Sequence, residues 1–284
     1  MKRYFTLIIL SLITIEVIGQ NNKEFVTIST GGEKDTIYNW NNTKISVIHH
    51  DTLYGVPQHI SIIEMDRKDF KFSFVNHNGM KRTSDIATSN NEIIAINGTF
   101  YDMKYGNSVC YLQIDGKMQD TTRFEDFYPQ INGAVKIKNG RLKIINWDPK
   151  KEKKFRRKAS KSSRCNKKVS IMVAQPILIK NRKKGEISNN MPGFNDTKHN
   201  RSVLFTKKDK VYFLIIDGRR KGFAEGMTIS ELQDFLIKLG AEQAINLDGG
   251  GSSTLWTKEH GIINYPSDKN GERNIANHIA VHCK

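Results

Sequence analysis

Between Val211 and Leu247 the apolar residues change period twice, and this stretch constrains the fold more than any other. Val211-Tyr212-Phe213-Leu214-Ile215-Ile216 is an unbroken apolar run of strand length. Thr228-Ile229-Ser230-Glu231 is a capping box, in which hydroxyl and carboxylate each satisfy an amide at a helix start. Leu232, Phe235, Leu236 and Leu239 follow at the helical period, and Gly240 stops the helix. Gln243-Ala244-Ile245-Asn246-Leu247 is then a second short strand. A strand–helix–strand crossover places its two strands parallel, usually as neighbours. Upstream, 60–65, 70–75 and 93–96 read as strands and 83–89 as a short helix. Two hairpins turn at Asp115-Gly116 and Asn139-Gly140. Further strands are expected over 170–179 and 202–205. The expected fold is α+β, one domain over 60–284 with a mixed β-sheet. Its first half is β-rich and a C-terminal βαβ unit carries the site. Residues 20–59 read as an N-terminal extension, partly irregular.

The N-terminus reads as an address. Lys2-Arg3 precedes an apolar run through Ile18, and Val17-Ile18-Gly19 offers short residues for a signal peptidase. The expectation is a signal peptide over 1–19 and an exported protein, periplasmic or extracellular. A buried N-terminal helix is the other reading. No internal stretch reaches the ~18 apolar residues of a membrane span. Cys110, Cys165 and Cys283 are too few for a disulfide scaffold and show no metal-binding spacing.

The chain carries 45 Lys and Arg against 29 Asp and Glu, a net charge of +16. Eleven of those cations, with Glu152 as the single acid, lie in 150–168. With almost no apolar residue to bury, this segment reads as a mobile basic loop. It suits phosphate contacts to a nucleic acid, attraction to another polyanion, or a merely solvated insertion. Export disfavours nucleic acid as a partner.

Asp217 and Asp248 each follow directly on one strand of the crossover. Parallel strands would put both at one carboxyl edge, where such sheets bind ligands. Two carboxylates roughly 5–10 Å apart suit glycoside hydrolysis, or one Ca²⁺ or Mg²⁺ held between them. After Asp248 come Gly249-Gly250-Gly251-Ser252-Ser253-Thr254. Three glycines let a ligand approach the backbone, and their amides with two hydroxyls can cradle an anion. Arg201 and Arg219 are candidate phosphate ligands, with a structural ion pair to Asp217 as the alternative for Arg219. Asn97 ends an apolar strand, where its amide could fix a sugar hydroxyl or close a turn. Glu231 is explained by capping, and His199 is a lone loop histidine.

These motifs together resemble the phosphodiester glycosidase family. The resemblance runs from about 60 to 282 and is most specific at Asn246-Leu247-Asp248-Gly249-Gly250-Gly251-Ser252-Ser253-Thr254. It extends to Ala95-Ile96-Asn97-Gly98-Thr99-Phe100-Tyr101, the Arg201 strand, Ile216-Asp217-Gly218-Arg219 and Gly226-Met227-Thr228. Asn200, Ser202, Thr99 and Gln175 depart from the usual family residues. The resemblance implies hydrolysis of a sugar-1-phosphodiester, of the GlcNAc-1-phosphodiester kind, at the anomeric C–O bond. Asp248 and Asp217 would be catalytic. Asn97, Arg201, Arg219, Gly249, Gly250, Gly251, Ser252 and Ser253 would bind a phosphate-bearing glycan, with no cofactor required. Alternatives are a metal-assisted phosphodiesterase using Asp217 and Asp248, and a non-catalytic envelope-glycan-binding module.

Overall fold

The computed structural model describes residues 16–19, 24–30, 33–40, 42–123, 131–160, 169–188 and 191–284. Most of the expected signal peptide therefore lies outside the described residues, apart from an edge strand at Glu16–Gly19. The expected extension over 20–59 holds more regular structure than its polar sequence implied. Strands Glu24–Thr30, Glu33–Trp40 and Thr43–His50 form an antiparallel meander that leads into Gln58–Asp66.

Among the described residues there are three sheets. The largest continues from that meander through Gln58–Asp66, Lys210–Ile216, Arg201–Lys207, Gln243–Asn246 and Ile177–Lys180 to a short edge at Lys183–Lys184. A second sheet contains Arg141–Asn146, Gly133–Lys138, Val169–Ala174, Leu112–Ile114 and Lys117–Asp120. In the third, the strand Ile275–Cys283 lies between Phe70–Lys81 and Ile94–Asn97.

The central strands of the largest sheet are buried on both faces, which is why they read as nearly unbroken apolar runs. Ile63, Met65, Val211, Phe213 and Ile215 face the core shared with the other two sheets. Their neighbours Ile60, Ile62, Tyr212, Leu214 and Ile216 face the opposite core, with Ile229, Leu232 and Leu236 of the helix Ile229–Lys238. The expected capping box is present, with Thr228 and Glu231 exchanging hydrogen bonds. Gly240 takes φ +76 just past the helix end. Both hairpin turns have the expected left-handed residues, Asp115 (φ 46) with Gly116 and Asn139 (φ 53) with Gly140.

Three expectations change. The crossover strands are not neighbours. Arg201–Lys207 lies between them, antiparallel to both Lys210–Ile216 and Gln243–Asn246. The tight Lys208-Asp209 turn makes that hairpin the local pairing, and Gln58–Asp66 occupies the other edge of Lys210–Ile216. The two strands still run parallel, so both aspartates sit at the same sheet edge. The strand region expected over 170–179 is two strands, Val169–Ala174 and Ile177–Lys180, which join different sheets. The basic segment is a helix over Pro149–Ser160 rather than a loop. Glu152 and Phe155, three residues apart, give it an inner face: Glu152 accepts from Thr122 and from Trp147 Nε1, and Phe155 packs on Trp147. Residues 161–168 lie outside the described part.

Candidate active site

Leu247 and Asp248 leave their strand by donating amides to Ser202 O and Gly98 O, so the following turn is fastened to two sheets. Asn97 closes that turn from below. Its Nδ2 donates to Asp248 O (2.6 Å) and its Oδ1 accepts from Thr254 N (3.2 Å), so one buried amide holds both ends of the glycine run. Ser202 Oγ lies 2.8 Å from Asn97 Oδ1 and 2.9 Å from Ser253 Oγ, extending the brace. Asn97, Ser202 and Ser253 are fully buried and face one another, not open space.

The glycines answer to their neighbours. A Cβ on Gly249 would lie 2.6 Å from Asn200 O, and one on Gly250 2.8 Å from Arg219 Nη2. A Cβ on Gly251 would collide with the Arg273 guanidinium. Gly250 also takes φ +61, which L side chains rarely adopt. Two arginines from distant parts of the chain thus rest on consecutive glycines. The amides are less available than the sequence implied. Those of Asp248, Gly250, Ser252 and Ser253 all donate within the protein.

Asp248 sits at the centre of this arrangement. Burial pushes its carboxyl up to about 6, against the opposing pull of the Ser252 hydroxyl, the Gly249 amide, Arg273 and Arg219. Ser252 also hydrogen-bonds the Tyr101 phenol, whose pKa is raised by burial and lowered by its contacts to Ser252 and Arg273. Tyr101 Oη donates to Asn274 O (3.0 Å), and Arg273 Nε is held by Asp268 at 2.5 Å. Arg219, exposed and in the left-handed region at φ 63, points Nε toward His199 Nδ1 at 3.4 Å. Burial and the two nearby arginines push the His199 pKa down, keeping the ring neutral near pH 7.

Two expected site residues are engaged elsewhere. Asp217 is fully buried. Its carboxylate takes the His59 ring at 2.7 Å, Asn264 Nδ2 at 3.1 Å and Tyr265 N at 2.9 Å. Both of its oxygens are thus engaged within the protein, and the strand Arg201–Lys207 lies between the strands that carry the two aspartates. No group of three metal-ligating side chains occurs among the described residues. Arg201 is likewise buried, donating to Met227 O, Phe194 O and Thr197 O, with its guanidinium 5.0 Å from the Phe194 ring centroid. Burial lowers its pKa to about 10, so it stays charged and anchors the chain around His199. Arg219 forms no salt bridge with either aspartate, and its fork rests against Gly250 beside Asp248.

The profile of the phosphodiester glycosidase family matches residues 90–282. The chain belongs to the phosphodiester glycosidase family. It is a glycosidase, of the hydrolase class. The fold is similar to that of the zebrafish N-acetylglucosamine-1-phosphodiester α-N-acetylglucosaminidase catalytic domain auto-inhibited by its pro-peptide. That match has TM-score 0.62 and 18% identity, and covers 95% of this chain and 87% of the other. A hypothetical protein from Synechocystis gives TM-score 0.65 at 11% identity, covering 91% of this chain and 65% of that one. A protein described as exported from Burkholderia pseudomallei gives TM-score 0.60 at 12% identity, with 81% and 75% covered. No curated protein matches by sequence. At these identities the likeness is one of fold.

Within the family domain the structure adds Arg273 and the Tyr101 phenol to the site. Arg273 lies outside every motif, and its only trace in the sequence is indirect: three successive glycines imply that something rests on them. Tyr101 belonged to a recognised segment, but nothing in its spacing pointed at Ser252.

Proposed function

We propose that this chain hydrolyses the glycosidic C–O bond of sugar-1-phosphodiesters outside the cytosol, releasing free sugar and a phosphomonoester. The supporting observation is the pair Arg219 and Arg273, resting on Gly250 and Gly251 beside the Asp248 carboxyl. The two guanidiniums would take the phosphodiester oxygens, and their charge would stabilise the phosphate as it leaves. A phosphate monoester needs little protonation to depart, so no strong general acid is required. Water would attack the anomeric carbon and pass its proton to ionised Asp248, while the C–O electron pair goes to the phosphate oxygen. The Asp248 charge would also favour the oxocarbenium-like carbon. Ser252 and Tyr101 would orient the carboxyl, and neutral His199 would steer Arg219. Asp217, Asn97, Arg201 and Ser253 would act by positioning: their side chains fasten the strands and turns that carry Asp248, Arg219 and Ser252. The phosphate-bearing glycan is the partner this reading requires. Export rests on the Lys2-Arg3 and apolar N-terminal pattern.

The deciding experiment is incubation of the purified protein with UDP-GlcNAc or another α-GlcNAc-1-phosphodiester, with and without EDTA, followed by product identification. Free GlcNAc formed equally in EDTA supports the reading. Sugar-1-phosphate would move the cut to the P–O bond and favour a metal-assisted phosphodiesterase. Binding without turnover of any glycosyl phosphodiester would favour a glycan-binding module.

A further inference from the structure

We propose that the outer face of the helix Pro149–Ser160, with the cavity beside it, is a docking site for the phosphate-bearing chain of a polyanionic glycan, separate from the Asp248 site. The inference rests on the glycosyl-phosphodiester reading above. The helix is fixed in place. Glu152, 1% exposed, accepts from Thr122 N (3.0 Å), Thr122 Oγ1 (2.6 Å) and Trp147 Nε1 (3.2 Å), and Phe155 lies against Trp147 at 5.3 Å. Every described exposed residue of the helix after Pro149 is Lys or Arg. No ion pair to a described acid engages Lys150, Lys153, Lys154, Arg156 or Lys158. Lys150, Lys154 and Lys158 are four residues apart, so like charges stack one turn above another and repel. A bound polyanion removes that repulsion, and a rigid array meets it without first losing chain entropy.

The charge continues off the helix. Lys151 Nζ donates to Asn146 O at 2.6 Å. Asn146 and Trp147 line a cavity of about 510 Å³, with Asn132, Lys180, Lys183 and the single acid Glu186. Asn132 is committed to Ile177 N and Glu186 O, so the amide that faces a ligand is that of exposed Asn146, and an amide for hydroxyls beside lysines for phosphates is the chemistry of a sugar- or polyol-phosphate polymer. Nucleic acid fits less well, because the helix exposes no aromatic ring on which a base could stack. A membrane fits less well, because it exposes no apolar side chain to insert.

The test is a binding titration in the Asp248→Asn background, where cleavage does not intervene. The probe is a fluorescent teichoic-type poly(glycerol phosphate) chain at low and physiological salt. The comparison protein also carries Lys150→Gln, Lys153→Gln, Lys154→Gln and Lys158→Gln, with its melting temperature measured to establish folding. The proposal expects at least tenfold weaker binding by that variant and a shallower dependence of affinity on salt. Equal affinity in a folded variant overturns the site. Single-stranded DNA or anionic vesicles binding more tightly than the glycan, with the same loss, overturn the choice of partner. Failure of the cleavage reading would show in product analysis, independently of this binding.

Discussion

A carboxyl whose pKa is raised from 3.8 to about 6 is held in a place where its charge is costly. At Asp248 this has two consequences of opposite sign. For catalysis, the ionised form takes the proton from water, so kcat/KM should fall as pH drops through about 6 and level off above it. A pH–rate profile on a glycosyl phosphodiester reads this directly, and a flat profile between pH 5 and 7 would remove Asp248 from the base role. For stability, the folded state binds the proton more tightly than the unfolded chain does, so this group's contribution declines as pH rises from about 4 to 6. Asp248→Asn should therefore abolish turnover and, at pH 7, raise unfolding free energy by about 1–3 kcal/mol. Chemical denaturation beside an activity assay measures both, and a destabilised variant would contradict the electrostatic account. Asp248 was legible in the sequence because it stands at a strand end before three glycines. The environment of Asp217 was not, because its donors come from His59, Asn264 and Tyr265, at the far reaches of the chain.

The glycine run acts as a seat for side chains, so its test is steric. Gly251→Ala forces Arg273 off the turn, and the guanidinium that would hold a phosphate oxygen moves with it. The expected result is a fall in kcat/KM of about a hundredfold, carried by loss of the charge-stabilising donor. Gly251 is outside the left-handed region, so the added methyl acts by contact and not through backbone strain, and Gly193→Ala, also outside that region and with nothing near the added Cβ, serves as the control for replacing a glycine as such. Steady-state kinetics on both variants separates the two effects. Periodicity gave the helix Ile229–Lys238 and both hairpin turns, since a capping box or an Asn-Gly pair encodes its own geometry. It misplaced the two strands of the crossover because the Arg201–Ile216 hairpin closes over a two-residue turn and takes the intervening position first. The basic helix escaped notice for a different reason: Glu152 and Phe155 are only two inward-facing residues in a run of cations.

At the scale of the molecule, a buried chain of side chains joins two strands of the third sheet to the segment before a third. Glu92 meets His278 Nε2 at 2.7 Å, His278 Nδ1 meets His77 Nε2 at 2.7 Å, and His77 Nδ1 donates to Ile275 O at 2.6 Å. Burial, with the neighbouring His278, pushes the His77 pKa from 6.5 to about 4. Its stabilising contribution is complete above 6.5 and lost as pH falls toward 4, in the opposite sense to Asp248. His77→Gln should flatten the decline in stability between pH 6.5 and 4.5, which amounts to about 2–3 kcal/mol in the parent. Denaturation curves across that interval test it. This same sheet sets a schedule on the ribosome. Ile275–Cys283 fills the slot between Phe70–Lys81 and Ile94–Asn97, yet it is translated nearly two hundred residues after the first of them. At usual elongation speeds both strands wait roughly 10–40 s for their shared partner. Until then Phe70–Lys81 and Ile94–Asn97 each present an unpaired strand edge, the kind of surface that chaperones cover.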